Sequence, residues 1–528
     1  MCGRACDERR SALGIEVSND GKLTMQKLFV LCSAAAVGWL GSAGFVPAQT
    51  PTNALPARPV TLPECFQQAL QNNLDLQIER ISPALSLADL DIARAGYDPV
   101  FTFSSQHSYS LSGGGLDANK LAIPSSRSDS DTFSSGFSGN GPIGMTYNLS
   151  GNVSESYGRS VAPFDTSSGS ISLSLTQPLL KNFLFDTTRW NIAVAKNRLK
   201  YSELRLRFQI MNVLSAVEQA YYDLIFSREN VKVQEQALQL ARQLFEDNKR
   251  RVEIGTMARL DEKQAESQVA AREADLTSAR NSLATAQNNL KKLITANYRG
   301  LHDAPLDPTE VLTALPTSLD LQQSWDKGMS QRPDLLQSRL DLERQGLNVK
   351  YYKNQRLPEV DLTGRGGHGA SGNAVREFSD AFGDFRKGDK PFYTVGASIT
   401  VPLENKAARQ RYKQSKLSAD QLLLDLKKLE EGILVQIDES VNLVRSNFDR
   451  VESTRKARAY AEAALLAEQQ KLGAGKSTSF VVLQLQRDLT SARSEEIRAL
   501  ADYNKALSQL HLNEGTTLER NKINVEVK

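Results

Sequence analysis

The chain has 528 residues and a formal charge of +3 at pH 7, with 64 Lys and Arg against 61 Asp and Glu. So even a balance argues against a nucleic-acid partner, whose recognition takes a clustered basic surface. Aromatic residues at 7% and a mean hydropathy of -0.39 exclude a helical membrane protein, and no stretch beyond residue 50 offers the roughly 20 apolar residues that a spanning helix needs.

The one long apolar stretch is at the front. Met25-Gln26-Lys27 leads into Leu28 to Leu40, followed by the small residues Gly41 to Gly44 and by Val46-Pro47-Ala48. A basic start, a short apolar core and a small-residue exit predict a secretory signal peptide over residues 25–48, cleaved near Ala48. Residues 1–24 then read as an N-terminal extension from an upstream start codon. The alternative is a cytosolic protein with a buried apolar helix there. Cys2, Cys6 and Cys32 precede the cut, which leaves Cys65 alone; an exported chain with one thiol has no internal disulfide framework. The bulky Leu31 before Cys32 argues against lipid attachment at that cysteine.

After a Pro-rich lead (49–61), the chain writes one unit twice. Repeat 1 spans 62–300, a linker 301–320, repeat 2 321–513, and a polar tail 514–528. Shifted by about 259 positions, Leu62, Phe66, Asp75, Leu76, Arg80 and Pro99 fall on Leu321, Trp325, Asp334, Leu335, Arg339 and Pro358. The shift shortens to about 224, placing Ile171, Ser174 and Pro178 on Val395, Ser398 and Pro402, and then to about 220, where Val217, Leu224, Gly255 and Leu290 meet Ile437, Val444, Gly475 and Leu510. A repeat of this length is the strongest constraint on architecture.

Within repeat 1 a first helix is predicted from about Leu62 to Gly96, with Pro83 a candidate interruption, because an interior proline removes a hydrogen bond and clashes with the preceding turn. From Pro99 the period becomes two: Phe101 and Phe103 alternate with Thr102 and Ser104, and Ile171, Leu173 and Leu175 with Ser172, Ser174 and Thr176. Repeat 2 does the same at Val360 and Leu362, and again at Val395, Ala397, Ile399 and Val401. One apolar face and one small polar face suit a barrel with lipid outside and water inside; an antiparallel sheet with one face on a core shows the same alternation. Repeat 1 carries extra material, Phe133 to Phe137 and Met145 to Val153, with a turn at Gly139-Asn140-Gly141-Pro142. It is expected to form an additional hairpin that either widens the barrel or stands on its rim. In repeat 2, the glycine-rich segment from Gly364 through His368 and Gly372, with the charged stretch to Lys390, reads as an external loop.

Long helices follow. Ile210, Val217, Leu224, Val231, Leu238, Phe245 and Val252 recur every seven residues, and Ile437, Val444, Val451, Leu465 and Leu472 keep the phase, interrupted at Arg458. The return helices carry Val269, Leu276, Leu283 and Leu290, and Leu489, Tyr503 and Leu510, with Glu496 breaking the second seam. Sustained heptads predict coiled-coil packing, and Asp186 to Arg250 as one helix would reach on the order of 100 Å. Four core strands cannot close a barrel, for which about eight is the minimum, and an open sheet edge cannot face lipid. The protomer must therefore oligomerise, and three copies would supply twelve core strands and a matching ring of helices. The fold class is thus mainly α with β: long antiparallel coiled-coil helices forming an α-helical barrel, plus a transmembrane β-barrel shared between protomers, with at least four strands per chain and two structural repeats.

In this order of elements the chain resembles the TolC-like outer membrane efflux protein family over nearly all of its mature length. The resemblance is carried by the duplicated plan of helix, hairpin and helix pair, by Arg332-Pro333-Asp334-Leu335 opening repeat 2, by the strand-ending Pro178 and Pro402, and by the helix-turn-helix tips around Gly255 and Gly475. It implies a homotrimeric channel-tunnel in the outer membrane of a Gram-negative-type cell, with most of its helical mass in the periplasm. Such a channel docks a periplasmic membrane fusion (adaptor) protein and an inner-membrane pump, and contacts outer-membrane lipid. The docking tips would include Arg251, Gly255 and Leu260 in repeat 1 and Lys471, Gly475, Lys476 and Phe480 in repeat 2, although both glycines are also accounted for as helix ends. Acidic side chains just past the second tip often line the periplasmic constriction in this family; here Val481 and Gln484 stand there, while Asp261 holds an acidic position in repeat 1. A ring of Asp261 carboxylates would attract cations, and a solvated helix-start aspartate is the plainer reading.

Other signals lead nowhere. Gly475-Lys476-Ser477 resembles the end of a P-loop, but Gln470 replaces the first glycine and the segment lies at a coiled-coil tip. His107, His302, His368 and His511 are scattered, with no metal-ligand spacing, so neither a metal nor a cofactor is expected, and no catalytic constellation appears. Cys65 beside Phe66 reads as a packed residue. Two functions stay open: a passive export conduit, and a soluble periplasmic coiled-coil structural or adaptor protein.

Overall fold

The computed structural model describes residues 58–523, apart from 117, 160, 161, 371–379, 381, 382, 384–387 and 389. The proposed signal peptide, the extension before it, the cleavage point and Gly372 lie outside the described residues. The described elements belong to one unit, Leu55–Lys528.

The helices follow one plan twice. Repeat 1 contains α1 (Leu62–Asn72), α2 (Leu74–Arg94), α3 (Thr187–Glu253) and α4 (Arg259–Ile294), of 11, 21, 67 and 36 residues. After the short α5 (Tyr298–Leu301), repeat 2 contains α6 (Leu321–Gln331), α7 (Pro333–Asn354), α8 (Lys406–Gly473) and α9 (Ser479–Glu514), of 11, 22, 68 and 36 residues. The final α10 (Thr517–Arg520) buries Leu518 against the α3 core. At 1.5 Å per residue α3 reaches ~100 Å. It starts where the sequence indicates, capped by the Asp186 side chain, which accepts from the Thr188 N–H at 3.1 Å.

The first helix breaks at Asn73 and not at Pro83. Asn73 is extended (φ -64, ψ 124) and serves both helices: its own N–H ends α1, its side chain caps Leu76 N at 3.1 Å, and its amide donates to Leu293 O at 3.0 Å. Pro83 lies buried inside an otherwise continuous α2. Arg332, at the equivalent junction of repeat 2, is likewise buried and bridges elements. Its guanidinium pairs with Asp334 at 2.6 Å and also donates to Gln436 Oε1 of α8 and to Asn513 O of α9. The Arg-Pro-Asp-Leu run thus fixes where α7 starts against the long helices.

The seven-residue seams are buried in part. Ile437, Val444, Val451, Leu465 and Leu472 are all buried, as are Ile210, Val217 and Leu224. Val231 is half-buried and Leu238 still buried, but the buried line of α3 shifts to Val233, Ala237, Ala241, Leu244 and Asn248, leaving Phe245 and Val252 half-exposed. A straight helix drifts ~20° per heptad from a strict seven-residue line, and five heptads separate Ile210 from Phe245. The two seam breaks in repeat 2 meet each other: Arg458 Nε lies 2.7 Å from Glu496 Oε2 as a charge contact without aligned hydrogen-bond geometry.

The strands are β1 (Arg58–Val60), β2 (Val100–Ser112), β3 (Gly115–Leu116), β4 (Ala122–Ile123), β5 (Ser126–Asn140), β6 (Thr146–Arg159), β7 (Pro163–Pro178), β8 (Leu306–Pro308), β9 (Glu359–Ala370) and β10 (Pro391–Thr400). β1 pairs in parallel with β8, tying the lead to the linker. Six strands form one antiparallel sheet in the order β10-β9-β7-β6-β5-β2, so the described part of the chain supplies two strands beyond the four core ones. The glycine-rich segment Gly364 to Ala370 is strand, not loop. At Gly367 the strands approach so closely that a Cβ would lie 2.0 Å from Ile171 O, which accounts for glycine at that one position of the strand.

Candidate functional site

Two regions carry candidate chemistry, the faces of the sheet and the tips of the long helices. Register fixes the faces. Phe101 pairs with Phe137, Phe137 with Leu149, and Leu149 with Leu173, so one apolar row crosses four strands. Leu175 pairs with Gly364, and Gly364 with Val395, carrying the same face to β10. These side chains are bare: Phe103 is 66% exposed, Val395 73% and Ile399 69%. A contiguous exposed apolar surface of this kind marks a membrane or protein contact.

The opposite face is hydroxyl-rich. Ser104 and Ser134 hydroxyls meet at 2.7 Å, those of Ser130 and Ser156 at 3.3 Å and those of Ser154 and Ser168 at 3.2 Å, and Ser170 donates to Asn152 at 2.6 Å. Arg365 then donates to Ser172 at 3.2 Å, linking β7 to β9. Small polar side chains on one face and bare hydrocarbon on the other fit a wall between water and lipid. No helix among the described residues is long and apolar enough to cross a membrane.

At the first tip, α3 ends in a Schellman turn: Thr256 N donates to Arg251 O at 2.9 Å and Gly255 N to Val252 O at 3.0 Å, with Gly255 at φ +80. The second tip repeats it, with Lys476 N on Lys471 O at 2.9 Å, Gly475 N on Leu472 O at 3.2 Å, and Gly475 at φ +70. Nothing lies within 4 Å of a Cβ placed on either glycine. The demand for glycine is therefore one of backbone angle and not of space.

Arg251 Nη1 donates to Leu472 O at 3.3 Å and so joins the two tips. Lys471 pairs with Glu468 at 2.9 Å. The Ser477 hydroxyl and then Lys471 hold the Glu468 carboxyl below its ordinary range. Lys476 is exposed. Leu260 and Phe480, equivalent under the 220-residue shift, are 67% and 53% exposed in the first turns of α4 and α9. Asp261 follows Leu260 in that first turn, half-buried, with its backbone carbonyl receiving Asn248 Nδ2 at 3.4 Å.

Sequence reasoning missed two groups here. Ile254, 76% exposed beside Gly255, adds to the apolar tip. Asn248, buried on the α3 seam, donates to Ser479 Oγ at 2.6 Å and so binds the start of repeat 2's return helix to repeat 1. A polar residue on a buried helical line was its only signal. Among the described residues there is no cluster suited to hold a metal ion. Cys65 is buried, which pushes its thiol up to about 12.

A family model described as outer membrane efflux protein matches residues 65–296 and 326–515. The chain is 23% identical over 355 residues to the outer membrane efflux protein BepC of Brucella suis, covering 67% of this chain and 74% of that one. It is 24% identical over 349 residues to the outer membrane protein TolC of Vibrio cholerae, covering 65% and 76%, and 24% identical over 351 residues to the alkaline protease secretion protein AprF of Pseudomonas aeruginosa, covering 65% and 69%. Among solved structures, the CmeC outer membrane channel of Campylobacter jejuni shares the fold with a TM-score of 0.65 at 16% identity, covering 86% of each chain. The VceC outer membrane protein of Vibrio cholerae gives 0.63 at 16% identity, covering 86% and 96%.

Proposed function

The chain belongs to the outer membrane efflux protein family, and from that premise we propose that it is the subunit of a homotrimeric channel-tunnel, giving passive exit to substrates expelled by an inner-membrane pump through a periplasmic adaptor. Family membership makes it an outer-membrane transport conduit and not an enzyme. The observation that supports the finer reading best is the open sheet. It has a bare apolar face, a hydroxyl-lined face and two edges, β2 and β10, without a strand partner among the described residues. A soluble periplasmic coiled-coil protein would need to cover that apolar face, whereas a shared barrel leaves it to lipid and joins the edges.

Helices favour the same closure. α7 packs against both α3 and α8, whereas α2, its repeat-1 counterpart, has α3 as its long-helix partner. α2 also bears an exposed stripe at heptad spacing, Leu74, Ile78, Ile81 and Leu85. By the repeat register the missing partner is α8 of a neighbouring copy, where Leu417, Leu424 and Val435 are exposed. The tips supply the adaptor contact: Ile254, Leu260 and Phe480 offer apolar anchors and Lys476 an exposed charge beside two helix reversals. Names borne by relatives, efflux protein and protease secretion protein, are those of export.

Purified protein fused into planar lipid films tests this. The expected result is detergent-dependent trimers that conduct ions; a monomer that stays dissolved without detergent and never conducts overturns the reading. In the same recordings Asp261→Ala lowers cation preference if a carboxylate ring lines the constriction, and unchanged selectivity removes Asp261 from that role.

A further inference from the structure

We propose that the β5–β6 hairpin is a segment of the pore wall, so that each copy contributes six strands and three copies close an eighteen-stranded barrel. The number three rests on the trimeric reading above; the place of the hairpin in the wall rests on four observations of its own.

The first is position. β5 and β6 lie between β2 and β7, and β2 is hydrogen-bonded to β5 along all thirteen of its residues, Val100 to Ser112. Lifting the hairpin onto an outer rim would strip β2 of its partner in the chain. The second is the face pattern. Phe133, Phe137, Leu149 and Val153 continue the apolar face of Phe101 and Leu173, and the hydroxyl contacts Ser104–Ser134, Ser130–Ser156 and Ser154–Ser168 carry the polar face through the hairpin without a gap. A rim hairpin wet on both sides has no reason to keep either.

Length is the third. β5 has 15 residues and β6 has 14, each more than the roughly nine to eleven that a tilted strand needs to span the hydrocarbon. Parity is the fourth. A hairpin adds two strands, so β10 of one copy still runs antiparallel to β2 of the next, as β9 runs to β7 inside the chain. One extra strand would have broken that closure; two leave it intact.

The size of the wall then follows from strand spacing. With strands ~4.8 Å apart and tilted ~40°, eighteen of them close at a backbone diameter of ~36 Å, and twelve at ~24 Å. Three copies bring twelve long helices, and twelve helices at ~8–10 Å spacing form a ring ~30–38 Å across. The eighteen-stranded wall continues that ring without a step inward.

Single cysteines in two neighbouring rows test the inference, with the unsubstituted chain as blank. One row is Phe137→Cys, Leu149→Cys and Leu173→Cys; the other is Ser138→Cys, Asn148→Cys and Ser174→Cys. Trimers in lipid vesicles are treated with a membrane-impermeant maleimide. In all three strands the first row is expected to react about tenfold slower than the second, because lipid shields it. Equal, fast labelling of both rows on β5 and β6 with alternation kept on β7 overturns the hairpin's place in the wall and leaves the channel reading standing. Loss of alternation on β7 as well removes both. A deletion of residues 113–161, which lets β2 pair directly with β7, gives a second readout: trimers whose wall shrinks from ~36 to ~24 Å in electron micrographs support the inference, and an unchanged diameter overturns it.

Discussion

The two repeats agree in their helices and disagree in their strands. Helix lengths of 11, 21, 67 and 36 residues face 11, 22, 68 and 36, whereas the sheet takes four long strands from repeat 1 and two from repeat 2. Side-by-side helices must end together if their tips are to share one contact surface, so a length change in one helix is felt by its neighbours. A sheet that closes edge to edge requires only an even number of strands from each copy. Length is held fixed where elements run in parallel register, and left free where a hairpin can be inserted whole.

If the helical halves are equivalent, matched substitutions should have matched effects. Leu290 and Leu510 correspond under the 220-residue shift and are both fully buried. Leu290→Ala and Leu510→Ala should each cost about 3 kcal/mol in denaturant unfolding. A difference of more than about 1.5 kcal/mol between them, beyond the usual context spread, would break the equivalence. Next in size come the tips. Gly255→Ala and Gly475→Ala place a Cβ in open space at φ +80 and +70, so each should lose about 1–2 kcal/mol from left-handed strain alone, read as faster amide exchange in the final helical turn.

A smaller effect sharpens the comparison where the repeats differ. Arg458 and Glu496 occupy the positions of Leu238 and Leu276, two buried leucines of repeat 1, and meet there as an ion pair. Converting both to Leu should leave stability unchanged or raise it by about 1 kcal/mol, while Arg458→Leu alone, which leaves the half-buried Glu496 with only the longer contact to Arg455 at 3.8 Å, should lower it. A marked loss in the double variant contradicts this. The smallest effect concerns Glu514, whose repeat-1 counterpart is Ile294. Burial alone would raise its carboxyl, but hydrogen bonds from His511 and Ser324 outweigh burial and hold it below the ordinary value. With the folded value lowered, its stabilisation is full above the unfolded carboxyl range near pH ~4.3 and is lost as pH falls through the folded value. Glu514→Gln should flatten the stability profile over that acid window; an unchanged slope would show that Glu514 does not set it.

Sequence periodicity read most of this fold because its elements are long and repeated. The start of the long helix at Asp186, the glycines at both reversals and the alternating strands each express a local backbone rule. The parts that were not legible depend on contacts distant in sequence. Asn73 ends the first helix because its side chain has both Leu76 and Leu293 to bind, while Pro83 is accommodated by packing. Gly364 to Ala370 reads as a loop by composition and is a strand because it pairs with β7 on one side and β10 on the other, partners distant in sequence. Arg458 and Glu496 read as two separate faults and form one pair. At the tips, Leu260 and Phe480 hold equivalent places in the two repeats, whereas the hydrogen bond from Arg251 to Leu472 O joins residues far apart in sequence.

Electron microscopy of the assembly in lipid nanodiscs tests the shared wall most directly. Three copies joined β10 to β2, a closed ring of eighteen strands ~36 Å across, and the row from Phe101 to Leu173 facing lipid are expected. A sheet that stays open, or one whose apolar face is covered by protein, would contradict the shared wall.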